Sequence, residues 1–383
     1  MSKINFITAG ESHGPILTAI INGLPAGFKI DIEKINEQLQ KRQQGYGRGG
    51  RMKIEKDSVS MLSGVRNSVT LGSPITLQII NRDFSNWEDT MDPIFPDTRN
   101  EKVEIPRPGH ADYAGVKKYG FDDIRNVLER SSARETAIRV AVGSLCRQFL
   151  ENIGIKFFSH VKQIGKISIS ETTIINNELL ALANNSPVRC IEKSITEKMK
   201  KEIDNAKSNG DSVGGIFQVV VKNLPIGLGS YIHWDERLSS QISSHILGIP
   251  AIKGIEFGEG FNSANISGKN YHDEFIVKNG RISRTSNNAG GFEGGMTNGE
   301  PLIINAVMKP IPTLTNPLKS FNIRTKEKAI AHKERTDSCA VPAASVVAEN
   351  VIAIPLLDVF LERFGRDSWE IIKKRFKDEN YIN

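Results

Sequence analysis

The sequence GESHGPILTAIINGLPAG, residues 10–27, recurs 200 residues later as GDSVGGIFQVVVKNLPIG, residues 210–227. Seven of the eighteen positions are identical, and the acid at the second position is matched by an acid. Each copy continues as an apolar, strand-like run, then as Leu-Pro-x-Gly, and then reaches an acidic residue, Asp31 or Asp235, that begins a predicted amphipathic helix. A chance match is the alternative, but the shared order of elements favours an internal duplication.

The length allows one large domain or two, and two sheets with helices on one face would be of the α+β class. A duplication would build one domain from two related halves, about residues 1–200 and 201–383, each a sheet with helices on one face, around a shared core. No stretch rich in Gly, Ser and Pro separates the halves, so one intertwined domain is expected. The 383 residues are 39% hydrophobic and 25% charged, which is typical of a globular protein.

The composition disfavours several classes of protein. No apolar run is expected to be long enough to cross a bilayer, and Gly10, Glu11 and His13 interrupt the first apolar run too early for a signal peptide. The three cysteines are odd in number and lack metal-ligand spacing. They predict free thiols, a cytoplasmic location and no metal site.

Hydrophobic periodicity and capping signals predict the main elements. A helix over 132–152 should bury Ala137, Val140, Ala141, Leu145 and Phe149. The other predictions are strands over 15–24, 75–81 and 216–222, a long surface loop over 82–109, a helix opened by a capping box at Ser194 and Glu197, helices over 235–247 and 341–364, the latter bent at Pro355, and a short polar helix at the end.

The pentapeptide Gly10-Glu11-Ser12-His13-Gly14 has the spacing of a serine-hydrolase nucleophile turn. Such a turn needs a helix directly after the serine, whereas Pro15 and a β-rich run follow here. The serine recurs in the second copy as Ser212, so it is better interpreted as a turn residue. His13 has no counterpart in the second copy and is a candidate proton donor. A serine hydrolase using Ser12 is the rival enzyme class.

Arginines cluster in glycine- and serine-rich segments that can hold phosphates and carboxylates. The segment GYGRGGR, residues 45–51, could contact RNA, but RNA-binding segments of this kind are longer, repeated and disordered. A loop wrapping a small, multiply charged anion fits better, with no nucleic acid as partner. The further candidate segments are RPGHAD (107–112), RSSARE (130–135) at a predicted helix start, NNAGGFEGG (287–295), KPIPT (309–313) and RTDSC (335–339).

Taken in this order, the segments GESHG, GYGRGGR, RPGHAD, RSSARET, NAGGFEGG, KPIPT and RTDSC resemble those of the chorismate synthase family. They run from about residue 8 to 345 and so cover nearly the whole chain. The resemblance implies a β-α-β sandwich, with helices between two sheets, assembled as a homotetramer. It also implies the conversion of 5-enolpyruvylshikimate 3-phosphate to chorismate by 1,4-anti elimination of phosphate and a proton.

The resemblance further implies a need for reduced FMN without net redox change. NADPH is the expected reductant, used directly or through a separate flavin reductase, and the second route is favoured because nothing resembles a separate nicotinamide domain. His13 corresponds to the proton donor to the leaving phosphate, His110 to the histidine near the flavin, and Asp337 to the acid tied to removal of the substrate proton.

Matching the motifs residue by residue assigns two overlapping binding sets. Arg42 and Arg48 match positions given to the NADPH or substrate side, so they belong to both sets. The expected substrate residues are Arg42, Arg48, Arg51, Arg107, Ser132, Arg134 and Arg335. The expected cofactor residues are Arg42, Arg48, Arg130, Ser131, Ser132, Pro250, Ala251, Gly294, Lys309, Pro310, Ile311, Pro312, Thr313 and Arg335.

Overall fold

The chain combines helices and strands in an α+β fold, and the structure is a computed structural model that describes residues 3–50, 54–95, 102–170, 176–278, 280–334 and 336–380. The strands are β1 (Asn5–Ala9), β2 (Ile16–Asn22), β3 (Val59–Met61), β4 (Val65–Arg66), β5 (Val69–Thr70), β6 (Ile75–Ile80), β7 (Lys156–Ile164), β8 (Ile167–Ser168), β9 (Gly215–Lys222), β10 (Ile252–Phe257), β11 (Phe275–Lys278), β12 (Arg281–Arg284), β13 (Phe292–Glu293), β14 (Met296–Thr297), β15 (Leu302–Met308), β16 (Lys319–Phe321) and β17 (Lys328–Ile330).

The helices alternate with these strands along the chain. They are α1 (Ile32–Gln43), α2 (Asp112–Tyr119), α3 (Arg125–Ser131), α4 (Thr136–Asn152), α5 (Asn177–Leu182), α6 (Lys193–Ser208), α7 (Leu238–Leu247), α8 (Gly268–Tyr271), α9 (Val341–Val351), α10 (Ala353–Phe364) and α11 (Trp369–Asn380). Short 3₁₀ turns cover Arg82–Asn86, Ala133–Glu135, Ala183–Asn185 and Gly260–Asn265.

Two antiparallel sheets form the frame. The first has the strand order β1-β2-β6-β3 and the second β10-β15-β9-β7-β8. Because side chains alternate along a strand, Leu17, Ala19 and Ile21 of β2 all point to one face, where each is 0% exposed. Ile20, on the opposite face, is 50% exposed.

Helices pack against the inner face of both sheets. Helix α4 contacts β2 and β6, helix α9 contacts β7 and β9, and α4 also contacts α1, α9 and α10. The core positions predicted for α4 are confirmed, since all five are fully buried. Helices α4 and α9 approach closely at Gly143, where a Cβ would lie 2.4 Å from the carbonyl oxygen of Asn350.

The repeated sequence has the same position in both sheets. Strand β2 lies between β1 and β6, and β9 lies between β7 and β15, so the order β1-β2-β6-β3 corresponds to β7-β9-β15-β10. The Leu-Pro-x-Gly turn after each strand also makes the same contacts. Thr70 Oγ1 donates to the first turn's proline carbonyl at 2.6 Å and accepts from Phe28 N–H at 3.0 Å. Thr297 Oγ1 does the same in the second turn, at 2.6 Å and at 2.8 Å from Leu228 N–H.

Three predicted helix details are wrong. The helix expected from Asp235 begins at Leu238, because Asp235 bonds His233 in the preceding turn. The helix expected at Ser194 begins at Lys193, and no side-chain cap forms there. The C-terminal pair breaks at Ile352 rather than at Pro355. A proline lacks the N–H that would bond the carbonyl four residues earlier, so the distortion lies one turn before it.

The expectation that no run is long enough to span a membrane is also wrong by length and composition. Within the described residues, Val341–Phe364 passes that test, but its most apolar stretch is entirely buried inside the protein. Helices that are apolar all round are typical of the centre of a large core. This pair has that place, packed against α4 and α7.

Candidate active site

A cavity of about 510 Å³ opens between loops from both halves of the chain. Its volume lies in the usual range for small-molecule sites. Fifteen of the residues assigned from sequence line it, together with Ser12 of the GESHG motif: His13, Arg42, Arg48, Arg107, His110, Ser131, Ser132, Arg134, Pro250, Ala251, Lys309, Ile311, Pro312, Thr313 and Asp337.

Five assigned residues are not placed there. Arg51 and Arg335 lie outside the described residues. Arg130 uses its guanidinium to bind the carbonyls of Thr8 and Gly10. Pro310 does not line the cavity, nor does Gly294. Gly294 occupies the tight turn of the β13–β14 hairpin with φ +59°, a left-handed conformation that favours glycine.

Two side chains hold the ring of His13, one at its edge and one on its face. Its Nδ1 lies 2.8 Å from Glu129 Oε1, and its backbone N–H donates to Glu129 Oε2 at 2.8 Å. Trp87 stacks on the imidazole with 4.0 Å between ring centroids. Trp87 follows the 3₁₀ turn in the segment predicted as a surface loop, so part of that segment packs on the site instead.

Asn81 fastens the loop that carries His13. Its amide nitrogen donates to the carbonyl of Gly14 at 2.7 Å and to that of Glu11 at 3.2 Å. Its amide oxygen accepts from Arg134 Nε at 2.8 Å. Asn81 directly follows β6, so the GESHG turn is fixed by a residue from another strand of the same sheet.

His110 belongs to a rigid cluster with Arg107 and Asp112. Arg107 forms a bidentate pair with the Asp112 carboxylate, at 2.8 Å from Nε and 3.0 Å from Nη2, and its Nη1 donates to Thr313 at 3.0 Å. His110 Nδ1 lies 2.5 Å from Asp112 Oδ1, which requires a proton between them. Nδ1 therefore donates to Asp112 and cannot also accept from the nearby Arg107.

The Asp112 carboxylate stays ionised in this cluster. Burial alone raises its pKa, but the hydrogen bonds from His110 and Arg107 outweigh burial and hold the pKa well below its ordinary value of 3.8. Since the side chain of Arg107 is committed to Asp112 and Thr313, its observed contacts position the loop around His110.

Arg48 joins the first half of the chain to the second across the cavity. Its Nη1 lies 2.9 Å from Asp337 Oδ2. The backbone N–H of Gly49 donates to Asp337 Oδ1 at 2.6 Å. The carboxylate of Asp337 is therefore held in one orientation at the wall of the cavity.

Arg42 and Arg134 place two buried guanidinium groups at the cavity. Arg134 Nη1 binds both oxygens of Asp57, at 2.7 and 2.8 Å, whereas Arg42 reaches Asp57 only at 3.5 Å. Arg42 Nη1 and Arg134 Nη2 are buried without a hydrogen-bond partner among the described residues. Burial lowers the pKa of Arg42 to about 9, against the charge of Asp57 that raises it.

This donor set fits ligands that carry phosphate and carboxylate groups. Arg42 Nη1 and Arg134 Nη2 lie 3.5 Å from Asp57 and 3.6 Å from Glu55, beyond hydrogen-bond range, and guanidinium groups at a cavity wall attract anions. Lys309 adds a cation at the same wall, with Nζ donating to Gly109 O at 2.5 Å. The residues present therefore fit both a phosphorylated substrate and the phosphate of a flavin mononucleotide.

Neither rival interpretation of the motifs fits this geometry. Strand β2, and not a helix, follows Ser12, and Ser12 Oγ donates to Ser132 Oγ at 3.1 Å. In the GYGRGGR segment Gly47 packs against Ile203 and Cys339, and its carbonyl accepts from Ser338 N–H at 2.8 Å. A segment packed in this way differs from the disordered segments that bind RNA.

Comparisons with known proteins agree with the site. A family model described as chorismate synthase matches residues 4–361. A chorismate synthase from Alkaliphilus metalliredigens (strain QYMF) is 52% identical over 377 residues, covering 98% of this chain and 99% of the relative. The chain belongs to the chorismate synthase family.

Two further likenesses support this membership. A chorismate synthase from Sulfurihydrogenibium sp. (strain YO3AOP1) is 54% identical over 380 residues, covering 98% of this chain and 97% of the relative. A crystal structure of a chorismate synthase superposes with a TM-score of 0.80 at 40% identity, covering 99% of this chain and 98% of its own. The chain is therefore a lyase of the chorismate synthase family, whose members act in the shikimate pathway.

The structure adds residues to the chorismate synthase site that the motifs did not reveal. Four of them hold motif residues: Glu129 and Trp87 contact His13, Asn81 binds the GESHG loop, and Asp57 binds Arg134. The fifth, Glu334, lines the cavity and bonds His332. Glu129 directly precedes the RSSARE segment, but no local pattern links it to His13, which is 116 residues away.

Proposed function

We propose that the cavity binds 5-enolpyruvylshikimate 3-phosphate together with reduced FMN, and that the chain eliminates phosphate and a proton from this substrate to give chorismate. The observation that carries the proposal is the pair of histidines, each fixed by a buried carboxylate, in a cavity lined by four arginines and a lysine. Family membership supports the same substrate and a requirement for a flavin.

The cationic wall binds and orients the substrate. Arg42, Arg48 and Arg134 attract its phosphate and carboxylates, and removal of water from the cavity strengthens these interactions.

Proton transfers are assigned to the chain's own groups. His13 donates a proton to the phosphate oxygen as the carbon–oxygen bond breaks, so the phosphate leaves as a better leaving group. A proton is also removed from another carbon of the substrate, in 1,4-anti geometry, and passes to the carboxylate of Asp337, which Arg48 and Gly49 hold in place. His110, held by Asp112, would stabilise charge on the reduced flavin ring. When bound, reduced FMN supplies an electron transiently and recovers it, so there is no net redox change.

The remaining proposals concern architecture and setting. The helices that contact both sheets support a β-α-β sandwich, and the matching strand orders and threonine contacts support two duplicated halves in one domain. Exposed isoleucines on the outer face of the first sheet, Ile7 (76%), Ile20 (50%) and Ile80 (67%), support assembly, proposed as a homotetramer. Sedimentation of the purified protein tests the oligomer. The three buried, free cysteines fit the proposed cytoplasmic location.

The reductant is proposed to act outside this chain. A separate NADPH-dependent flavin reductase would supply reduced FMN, with direct use of NADPH as the alternative. Anaerobic mixing of the protein, oxidised FMN and NADPH decides between them, since only direct use bleaches the flavin absorbance. The predicted cofactor role of Gly294 stays a prediction, because Gly294 lies in a hairpin turn outside the cavity.

Replacement of the two histidines tests the function. We expect His13→Ala and His110→Ala to release phosphate at least tenfold more slowly than the wild type in an anaerobic assay with photoreduced FMN, because each loses a positioned proton donor. His233→Ala is the matched control, since His233 is exposed and absent from the cavity wall. Wild-type turnover in both site variants would contradict the assignment, and loss in the control as well would point to a folding effect.

A further inference from the structure

Glu129 contacts His13 with both of its carboxylate oxygens. One oxygen lies 2.8 Å from Nδ1 of the ring and the other accepts the backbone N–H at 2.8 Å. The side chains of Glu129 and His13 are 3% and 8% exposed, so solvent does not compete for this contact. We infer that Glu129 is the positioning residue of His13, fixing both the direction and the tautomer of its ring. This inference rests on the function proposed above for His13.

The contact determines which ring nitrogen faces the reaction. An ionised carboxylate only accepts hydrogen bonds, so Nδ1 of His13 carries the proton shared with Glu129. Nε2 is then the nitrogen that exchanges a proton with a ligand in the cavity. Without Glu129 the ring could adopt either tautomer and turn about its side-chain torsions.

Neighbouring groups hold Glu129 itself. Arg125 Nη1 lies 3.2 Å from Glu129 Oε1, and the Arg125 guanidinium also lies over Trp87, 4.9 Å from its centroid. Trp87 covers one face of the His13 ring. The backbone carbonyl of Glu129 accepts from Ser12 N–H at 2.9 Å, so helix α3 and the GESHG loop are also joined through the backbone.

The charges around His13 come from two parts of the chain. Helix α3 supplies Glu129 and Arg125, and the segment before α9 supplies Glu334 and its partner His332. Burial raises the pKa of Glu334, but the hydrogen bond and charge of His332, with the charges of Arg125 and His13, bring it below its ordinary value. Glu129 therefore contacts the imidazole directly, whereas Glu334 is close enough for its charge to interact with that of His13.

Glu129→Gln in the full-length protein tests the inference, because it removes the charge with little change in shape. We expect kcat to fall about 10- to 100-fold, as when an orienting carboxylate is removed from a metal-bound histidine. KM for the substrate should change less than about twofold, since Glu129 is not on the cavity wall. Glu135→Gln is the matched control, since Glu135 bonds Thr8 and is absent from the cavity wall.

A double variant separates positioning from a general structural effect. If Glu129 acts through His13, adding Glu129→Gln to His13→Ala should cost less than about twofold in kcat, whereas independent effects would multiply. Two-bond ¹H–¹⁵N spectra of the unliganded protein, with the His13 signals identified by their loss in His13→Ala, should show Nδ1 protonated.

The outcomes are distinguishable. An inactive His13→Ala together with a Glu129→Gln variant of wild-type rate would overturn the role of Glu129 and leave the proposed function standing. An Nε2-protonated His13 ring would also overturn it. Wild-type activity in His13→Ala would overturn the proton-donor assignment, and the role of Glu129 with it.

Discussion

The guanidinium of Arg48 lies 2.9 Å from the carboxylate of Asp337, so residues 289 positions apart in the chain share one contact at the cavity wall. Gly49 completes this contact, because its N–H binds the other oxygen of the same carboxylate at 2.6 Å. The orientation of Asp337 therefore depends on a glycine-rich loop from the other half of the molecule.

Gly49→Ala should reduce turnover by displacing Asp337. A Cβ on Gly49 would lie 2.7 Å from the backbone oxygen of Thr336 and 3.2 Å from Asp337 Oδ1, so the two loops must move apart. We expect kcat to fall at least tenfold, since small displacements at a reacting centre are costly. Gly50→Ala is the control, because a Cβ there meets no atom within 4 Å. Equal activity of the two variants in the phosphate-release assay would contradict the role of this contact.

Arg42→Met should preserve or raise the stability of the unliganded protein while weakening substrate binding. Burial lowers the pKa of Arg42 to about 9, so the charged side chain opposes folding at neutral pH. Its removal leaves Asp57 paired with Arg134 and removes a charge whose burial is costly. Urea unfolding and KM for the substrate measure the two effects.

The pH dependence of Arg42 has a definite sign. Its folded pKa lies below its ordinary value of 12.5, so the penalty is complete below about pH 9 and is relieved as the pH rises above that value. The stability of the wild type should therefore rise relative to Arg42→Met above about pH 9. Arg134→Met is the contrasting variant and should lose about 3–5 kcal/mol, because it leaves the Asp57 carboxylate buried without its close partner.

Asp112→Asn should destabilise the protein and loosen His110. The carboxylate of Asp112 holds Arg107 by two bonds and His110 by one, and the side chain is 1% exposed. We expect a loss of about 3 kcal/mol in the free energy of unfolding. Because hydrogen bonding holds the pKa of Asp112 below 3.8 in spite of burial, this contribution is fully present above about pH 4 and disappears as the pH falls further.

Unfolding in urea at neutral pH and at about pH 3 measures this contribution. The control is Asp122→Asn, which removes an exposed pair with Lys102 and should cost at most about 1 kcal/mol. An Asp112→Asn protein as stable as the control at neutral pH would show that Arg107 and His110 do not depend on the carboxylate.

Local patterns predicted much of the fold. The repeated Leu-Pro-x-Gly and the apolar alternation located β2 and β9, and the spacing of Ala137 to Phe149 located α4 and its buried residues. These features depend on residues close in sequence. The helix starts predicted at Ser194 and Asp235 were wrong. Ser194 lies inside its helix, where no side-chain cap forms, and Asp235 bonds His233 instead of a helix N-terminus.

The motifs also predicted which loops meet, but not how they are held. Glu129 and Trp87 support His13 through contacts that span 116 and 74 residues, and no local pattern encodes such contacts. The resemblance assigned Gly294 to cofactor binding. In the structure Gly294 lies in the turn of a hairpin, and Gly291 packs closely on another segment, since a Cβ on Gly291 would lie 2.6 Å from the carbonyl oxygen of Pro301.

Thr70→Val and Thr297→Val test whether the two copies of the repeat stabilise the fold by the same free energy. Each hydroxyl donates to the proline carbonyl of its turn at 2.6 Å and accepts a backbone N–H, and each side chain is 2% exposed. Valine keeps the shape but leaves both backbone groups unsatisfied, which costs about 1–3 kcal/mol. If the two turns descend from one structure and keep its role, the two losses should agree within about 0.5 kcal/mol.

Thr→Ser at the same positions provides the matched control. Serine retains the hydroxyl, so Thr70→Ser and Thr297→Ser should recover most of the stability lost in the valine variants when unfolding is followed in urea. A large loss at Thr70 with none at Thr297 would mean that only the first turn still stabilises the fold, and that the shared geometry of the second is no longer used. Matching losses would show that both copies of the repeat keep the stabilising contact between the threonine hydroxyl and the Leu-Pro-x-Gly turn.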